Sequence, residues 1–361
     1  MKKLLVLFLV LTMSLFVFVG CSQEKPAAET PAAEAPATET PATETPATDD
    51  AVKTGIAVIS SIEKSKDAAE EDGLAQVDSV VVAVTVDNEG KIVKASIDSA
   101  QTKINFSKEG KITTDIASVI KSKQELGTEY GVIKASKIGK EWNEQANALA
   151  DYVIGKTVEE VKGIAVTEEG VPTDADLAAS VTIKIGDYIE AIEKAVANAQ
   201  DLGAKSTDTL GLGVATTIAK SKDAADKDGV AQDGLAQAYS YYTATTFNAE
   251  GVITSCDIEA SQSNVNFTKE GKITTDLTAP LKSKIELGDE YGMKKASKIG
   301  KEWFEQSDAF SKYVVGKTVE EVKGLAVDAD GHATDADLIA SVTVGIGEFQ
   351  ETIEKAQANA K

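Results

Sequence analysis

The chain contains no arginine, a single histidine at His332, and two cysteines, Cys21 and Cys256. Only 5% of its residues are aromatic, two of them tryptophan. Each shortage removes a class of function. Acidic residues outnumber basic ones 58 to 37 and the formal charge is −21. A chain so acidic, with no guanidinium forks, has no surface for the phosphate backbone of a nucleic acid. The cysteines are too few and too far apart for a Cys-x-x-Cys-His haem attachment or a cysteine-ligated iron–sulfur cluster. No Gly-x-x-x-x-Gly-Lys-Ser/Thr loop is present to cradle a nucleotide phosphate. Carboxylate pairs such as Glu159 and Glu160 are common, but in a chain this acidic they read as solvated surface rather than as a glycosidase pair.

One long apolar run exists, Leu4 to Val19, interrupted only by Thr12 and Ser14, preceded by Lys2 and Lys3 and closed by Gly20-Cys21. A run this short behind two lysines reads as a secretory signal over residues 1–20 rather than a spanning helix. The small residue before a lone cysteine resembles the bacterial lipoprotein processing signal, which implies that Cys21 is lipidated and becomes the mature N-terminus. Two or more acyl chains would hold the protein stably to a lipid bilayer. With Cys21 modified, Cys256 has no partner for an internal disulfide, so the protein depends on its core. The pattern suits a Gram-positive surface.

From Gln23 to Asp50 the chain is almost wholly Pro, Ala, Thr and Glu, with Pro36-Ala-Thr-Glu-Thr40 repeated from Pro41. Such a tract cannot bury a core, and residues 21–50 read as a lipidated cysteine followed by a disordered linker. Beyond it the sequence repeats. Lys108–Asp115 recurs as Lys269–Asp276, Lys134–Trp142 as Lys295–Trp303, and Gly155–Gly163 as Gly316–Gly324, each with an offset of 161. Lys64–Ala69 recurs earlier, as Lys220–Ala225, with an offset of 156, so five extra residues belong to the second copy, placed near Asp233 to Gln237. The reading is two domains, 51–200 and 210–361, joined by a linker at 201–209. Because His332 aligns with Val171, neither a Ser-His-Asp triad nor a histidine-ligated metal can belong to both copies.

Each copy carries the same coarse pattern. Ser79–Val86 and Ile92–Ile97, β-branched and flanking Asn88-Glu89-Gly90, predict a hairpin, and Val252–Ile258 is its counterpart. Ala135, Ile138, Trp142, Ala146, Leu149 and Val153 recur at three- and four-residue steps and predict a helix from Lys134 to Tyr152. Thr157–Glu160 and Asp187–Glu190 read as capping boxes, the second opening a final helix. Strands first and helices later give an α+β class, each domain a mainly antiparallel sheet packed with helices.

Before the last helix of each copy lies the most informative stretch, Asp176-Leu-Ala-Ala-Ser-Val-Thr182, matched by Asp337-Leu-Ile-Ala-Ser-Val-Thr343. It resembles the attachment motif of the FMN-binding domain family, in which an aspartate precedes by six residues a threonine that a flavin transferase esterifies with the phosphate of FMN. The commoner form ends Ser/Thr-Gly-Ala-Thr, where this chain has Ala-Ser-Val-Thr. Lipid anchor, stalk and tandem copies together resemble the flavinylated lipoproteins of Gram-positive bacteria that carry electrons across the cell envelope. The segments Lys121–Gly131 and Lys282–Gly292 share in that resemblance.

The resemblance implies two covalent FMN groups per chain, on Thr182 and Thr343, with Asp176, Asp337, Ser180 and Ser341 as motif partners. It also implies a membrane NADH dehydrogenase and quinone as electron donors and ferric iron or another external acceptor. If Ser180–Ile185 is a strand, Ser180 and Thr182 share one face while Val181 and Ile183 face the core, and the phosphate lies near the helix at Asp187. Trp142 and Trp303 fall on an apolar stripe and read first as core residues, second as partners stacked on a flavin ring. Tyr130 and Tyr291, each following a glycine in a loop, are candidates for flavin contact. Cys256 reads as a small core residue and His332 as a loop residue. The expected protein is an electron-transfer flavoprotein rather than a substrate-converting enzyme. The alternative is a surface ligand-binding or adhesion lipoprotein without cofactor.

Overall fold

Two runs of β-branched residues in each half of the chain extend into strands longer than the sequence pattern indicates. The computed structural model describes residues 50–361, so the signal segment, Cys21 and the Pro/Ala/Thr-rich tract lie outside the described residues. The first half opens with β1 (Lys53–Ser61), β2 (Gly73–Val86) and β3 (Ile92–Phe106), an antiparallel meander in the order β1-β2-β3. Its register sets Ala57 opposite Val82 and Val82 opposite Ile97. Five helices follow: α1 (Lys123–Leu126), α2 (Trp142–Tyr152), α3 (Val158–Lys162), α4 (Ala175–Ala178) and α5 (Gly186–Ala197).

The second half repeats this order. It comprises β4 (Thr209–Thr217), a short hairpin β5 (Ala225–Lys227) and β6 (Val230–Gln232), and then β7 (Gly234–Phe247) and β8 (Ile253–Phe267). Helices α6 (Lys284–Leu287), α7 (Trp303–Val314), α8 (Val319–Lys323), α9 (Ala336–Ile339) and α10 (Gly347–Ala358) complete it. The protein is thus a mixed α/β structure with antiparallel sheets. Among the described residues no helix is long and apolar enough to cross a membrane.

Three local expectations are corrected. The predicted helix from Lys134 begins only at Trp142. Gly139 adopts φ +64°, which breaks helical geometry, and Glu141 caps the true start by exchanging hydrogen bonds with Glu144. The capping box at Thr157–Glu160 forms, whereas the one at Asp187–Glu190 does not. Helix α5 starts at Gly186, so Asp187 already lies inside the first turn. The five extra residues sit upstream of their expected place. Gly234 pairs with Phe267 as Gly73 pairs with Phe106, which assigns the insertion to the β5–β6 hairpin, whose tip is Asp228 (φ +54°) and Gly229 (φ +78°).

Both faces of the two three-stranded sheets are largely buried, whereas the β5–β6 hairpin is exposed. In β2, Val80, Val82 and Val84 point to the helices of their own half, while Val81 and Ala83 join Leu210, Leu212, Val214 and Tyr242 of the second half. The layers therefore run helices, sheet, sheet, helices. Phe106 and Phe267 stack across the junction with ring centroids 4.2 Å apart and planes within 9°. The contact is reciprocal: Ala68 N donates to Gly271 O and Ala224 N to Gly110 O, both at 2.8 Å. Asp67 accepts from Ile273 N and Asp223 from Ile112 N, again both at 2.8 Å. The connection at 201–209 is tied to the first strand's approach, with Val52 N donating to Ala204 O at 3.0 Å and Ser206 N to Asp50 O at 2.7 Å.

Helices α5 and α10 lie against β1 and β4 at glycines. A Cβ on Gly55 would sit 2.1 Å from Ala195 O, and one on Gly213 would sit 1.8 Å from Thr352 O. These glycines let each terminal helix reach the sheet, and the same helices open directly after the two candidate threonines.

Candidate functional site

The loops carrying Thr182 and Thr343 are built on buried glutamines. After α4, Ser180 N and Val181 N both turn back to Leu177 O, at 2.9 and 2.8 Å, which closes the helix in a turn. Thr182 N then donates to Gln145 Oε1 at 2.8 Å, Thr182 Oγ1 to the same oxygen at 3.2 Å, and Ile183 N at 3.2 Å. The expected strand over Ser180–Ile185 therefore does not form, because the amides of Ser180 and Val181 turn back to Leu177 and those of Thr182 and Ile183 are taken by a side chain. Val181 and Ile185 are buried, whereas Thr182 and Ile183 are both half-buried, so the two-residue alternation holds only in part.

The second half reproduces the arrangement. Gln306 Oε1 accepts from Thr343 N at 2.8 Å, Thr343 Oγ1 at 3.2 Å and Val344 N at 3.2 Å. Both glutamines are fully buried and their amide nitrogens are anchored in turn, Gln145 Nε2 on Lys140 O at 3.0 Å and Gln306 Nε2 on Lys301 O and Ser297 Oγ at 3.2 Å each. A fixed Nε2 fixes which way Oε1 points, so the threonine is presented in one conformation. These glutamines were not singled out in the sequence. Their signal was a polar residue three positions after the tryptophan, on the face of the helix that meets the core.

Thr343 opens into a cleft of about 520 Å³. Met293, Ala296, Ile299, Ala333, Ile339, Val342 and Val344 give it an apolar lining, and Ser297, Lys298, Asp328 and His332 give it polar points. That volume and that mixture are those of a site for a mid-sized organic ligand. Ile339, at 43% exposure, is an apolar side chain left open to solvent at its edge.

Motif aspartates and aromatic candidates occupy other positions. Asp176 and Asp337 are exposed in the first turns of α4 and α9, where the capping oxygens belong to Asp174 and Asp335. Ser180 Oγ accepts from Lys140 Nζ at 3.2 Å, and Ser341 Oγ donates to Leu338 O at 3.2 Å. Asp337, Ser341, Tyr291 and Trp303 do not line the Thr343 cleft. Trp142 and Trp303 are each 2% exposed and belong to the cores, Trp142 Nε1 donating to Tyr188 Oη at 3.0 Å. Cys256 is a buried free cysteine whose thiol burial pushes up to about 12, consistent with a core position.

The tyrosines and tryptophans converge on lysines instead. Lys123 Nζ lies 4.7 Å from the Tyr130 ring centre and 5.2 Å from that of Trp142. Lys284, missed in the sequence, is buried, with Nζ 4.2 Å from the ring centre of Tyr291, 4.3 Å from Tyr239 and 4.9 Å from Trp303. It also donates to the Tyr239 hydroxyl. Burial lowers the Lys284 ammonium to about 7, with Glu259 opposing the shift. Burial raises Glu259 to about 7, although Ser283 Oγ donates to it at 2.6 Å and Ile285 N at 3.1 Å. Asp98, its counterpart, is raised to about 6 by the same cause. These carboxyls tie β3 and β8 to α1 and α6, a structural task.

Compared with known proteins, the chain matches no family model, no curated protein and no solved structure.

Proposed function

We propose that this chain is an electron carrier held at the outer face of a cytoplasmic membrane through a lipidated Cys21, with two homologous FMN-binding halves. FMN is joined by a phosphoester to Thr182 in one and to Thr343 in the other. One observation carries the reading: in both halves the motif threonine is held by the same three donations to a buried glutamine, and in the second it borders a cleft of about 520 Å³ with one apolar wall and several polar points.

The residues fit the group. Esterification removes the threonine hydroxyl hydrogen, and its bond to Gln145 or Gln306 with it. The two main-chain donations to that glutamine remain, so the loop keeps its shape. Helices α5 and α10 open at Gly186 and Gly347 with no side-chain cap, which leaves free amides for a phosphate, although Asp187 and Glu348 in the first turns oppose an anion. The apolar wall of Met293, Ile299, Ile339 and Val344 suits a flat aromatic ring. FMN, when bound, supplies one- and two-electron chemistry, and the chain supplies position and field. The ester keeps the cofactor from being lost to the medium. The partners that follow are a flavin transferase, a membrane quinone and NADH dehydrogenase system as donor, and ferric iron or another external acceptor.

A second reading, ligand capture without cofactor, draws on a larger cleft of about 860 Å³ beside α7, lined by Phe304, Ile258, Val315, Lys301 and Lys312 among others. Intact mass under denaturing conditions separates the two. Protein secreted from a host with its own flavin transferase should carry two FMN additions, Thr182→Ala and Thr343→Ala should each carry one, and the double variant none. Unmodified wild-type chain would leave ligand capture as the surviving reading.

A further inference from the structure

The two threonine loops share a backbone but not an electrostatic setting. In the second half, the turn Asp328-Ala-Asp-Gly-His332 packs against the Thr343 loop: Ile346 N donates to Gly331 O at 2.9 Å, and His332 forms an isolated bridge with Gly345. Asp328 holds the histidine twice, through Oδ1 to His332 N at 2.9 Å and through Oδ2 to the ring Nδ1 at 3.3 Å. Both His332 and Asp328 line the same cleft as Thr343, and the imidazole is 43% exposed.

The first half keeps the turn, with Glu168 and Glu169 as its carboxylates, and loses the histidine–aspartate pair. Ile185 N donates to Gly170 O at 2.9 Å, but the dyad positions are Thr167 and Val171, with Thr167 Oγ1 accepting from Val171 N at 3.2 Å. Where the second half has Gly345, the first has Lys184, whose Cβ lies 3.8 Å from where a Cβ on Gly170 would be. The loops thus differ at two places: Lys184 stands in the first where Gly345 stands in the second, and the His332–Asp328 pair stands in the second where Val171 and Thr167 stand in the first. His332 is the sequence's sole histidine, and histidine is the side chain whose ordinary titration falls between about pH 5 and 8.

We propose that His332, oriented by Asp328, makes the Thr343 site respond to proton uptake, so that the two attachment sites hold the same cofactor at different and differently pH-dependent reduction potentials. The inference rests on the reading that Thr343 carries FMN. Where FMN takes up two electrons and one proton from solvent it gains one negative charge, and a cation in the same cleft would favour that form. The charged groups facing the imidazole are Asp328 and Asp330 on its own turn and Lys298 across the cleft. Protonation offsets one of the two carboxylates, and deprotonation restores the negative field. Val171 can do neither.

The test isolates each site in the full chain. Thr182→Ala leaves FMN only on Thr343, and Thr343→Ala leaves it only on Thr182. The midpoint potential of each is measured by spectroelectrochemistry from about pH 5 to about pH 9, with and without His332→Gln, spanning the ordinary histidine range. NMR titration of the His332 ring gives its own midpoint. The expected result in the Thr182→Ala background is a higher potential with His332 than with Gln on the acid side of that midpoint, converging above it. The Thr343→Ala pair should be superimposable throughout. Parallel potentials with and without His332 would overturn the inference while leaving the attachment reading intact. Absence of the FMN mass on Thr182→Ala protein would instead remove the attachment itself, and the inference with it. His332→Val, which installs the first half's residue, should reproduce the Gln result; if it does not, the effect belongs to the glutamine and the inference fails.

Discussion

Gln306 and Thr343 are joined twice, the glutamine amide oxygen accepting from the threonine main chain at 2.8 Å and from its hydroxyl at 3.2 Å, and Gln145 joins Thr182 at the same two distances. The glutamines are fully buried, whereas Thr343 and Val344 are half-buried and border the cleft. Gln306→Leu should leave the amides of Thr343 and Val344 without their side-chain acceptor, at up to roughly 1–3 kcal/mol for each donor kept from water. Thermal unfolding should fall accordingly, and occupancy of Thr343 in intact mass should drop while that of Thr182 stays. Gln306→Glu retains the acceptor oxygen and should keep most of the occupancy. Equal loss from both variants would show that the amide's orientation, set by its nitrogen, is the part that counts.

The glycines under the terminal helices make a second prediction. On Gly213 a methyl group would meet Thr352 O at 1.8 Å, a backbone atom inside a helix that cannot rotate away. Gly213→Ala should therefore cost at least the ~1–3 kcal/mol of core overpacking and shift α10 outward. Since α10 begins four residues after Thr343, the same variant should loosen the attachment loop, read as faster amide exchange at Val344 and Ile346.

Cooperativity between the halves supplies a third. Val81, Ala83 and Phe106 of the first half have their partners in the second. A fragment ending at Asp208 would expose that whole sheet face and should self-associate or fail to fold. Phe106→Ala in the full chain should cost about 3–5 kcal/mol, the usual loss for a buried phenylalanine. Calorimetry should still show one transition, because the clusters that Phe106 joins belong to both halves. Two separate transitions would mean that the sheets do not depend on each other.

Local chemistry separates what the sequence reading could reach from what it could not. The hairpins and the Thr157 capping box rest on local chemistry and were legible. Strand β2 was only partly seen: Ser79–Val86 is a β-branched run, whereas Gly73–Asp78, with Gly73, Gln76 and Asp78 among its six residues, carries little strand signal of its own. The helix before Trp142 was overextended because Ala135 and Ile138 continue the stripe, while the break depends on the positive φ of Gly139. The strand expected at Thr182 failed because its amides bond to Gln145, a partner 37 positions away. Lys284 was invisible for a similar reason: its three aromatic neighbours come from β7, the loop before α7 and α7 itself.

Buried carboxyls give the last prediction. Burial raises Asp98 from its ordinary range to about 6 and Glu259 to about 7. A raised folded-state value means that the folded protein binds the proton more tightly than the unfolded chain. The stability these groups contribute is full below the unfolded values, near 4, and is lost as pH climbs through 6 and 7. Each group costs on the order of 1.4 kcal/mol per pH unit while it titrates in the unfolded chain but not in the folded one. Lys284, lowered to about 7, charges in both states below that pH and so adds no slope there. Chemical denaturation should therefore show stability falling from about pH 4.5 to about pH 7, the reverse of ordinary acid unfolding. Glu259→Gln, which keeps the shape and an acceptor for Ile285 N, should flatten that slope by close to one proton. A wild-type chain that gains stability across the same interval would mean that these carboxyls are ionised in the fold.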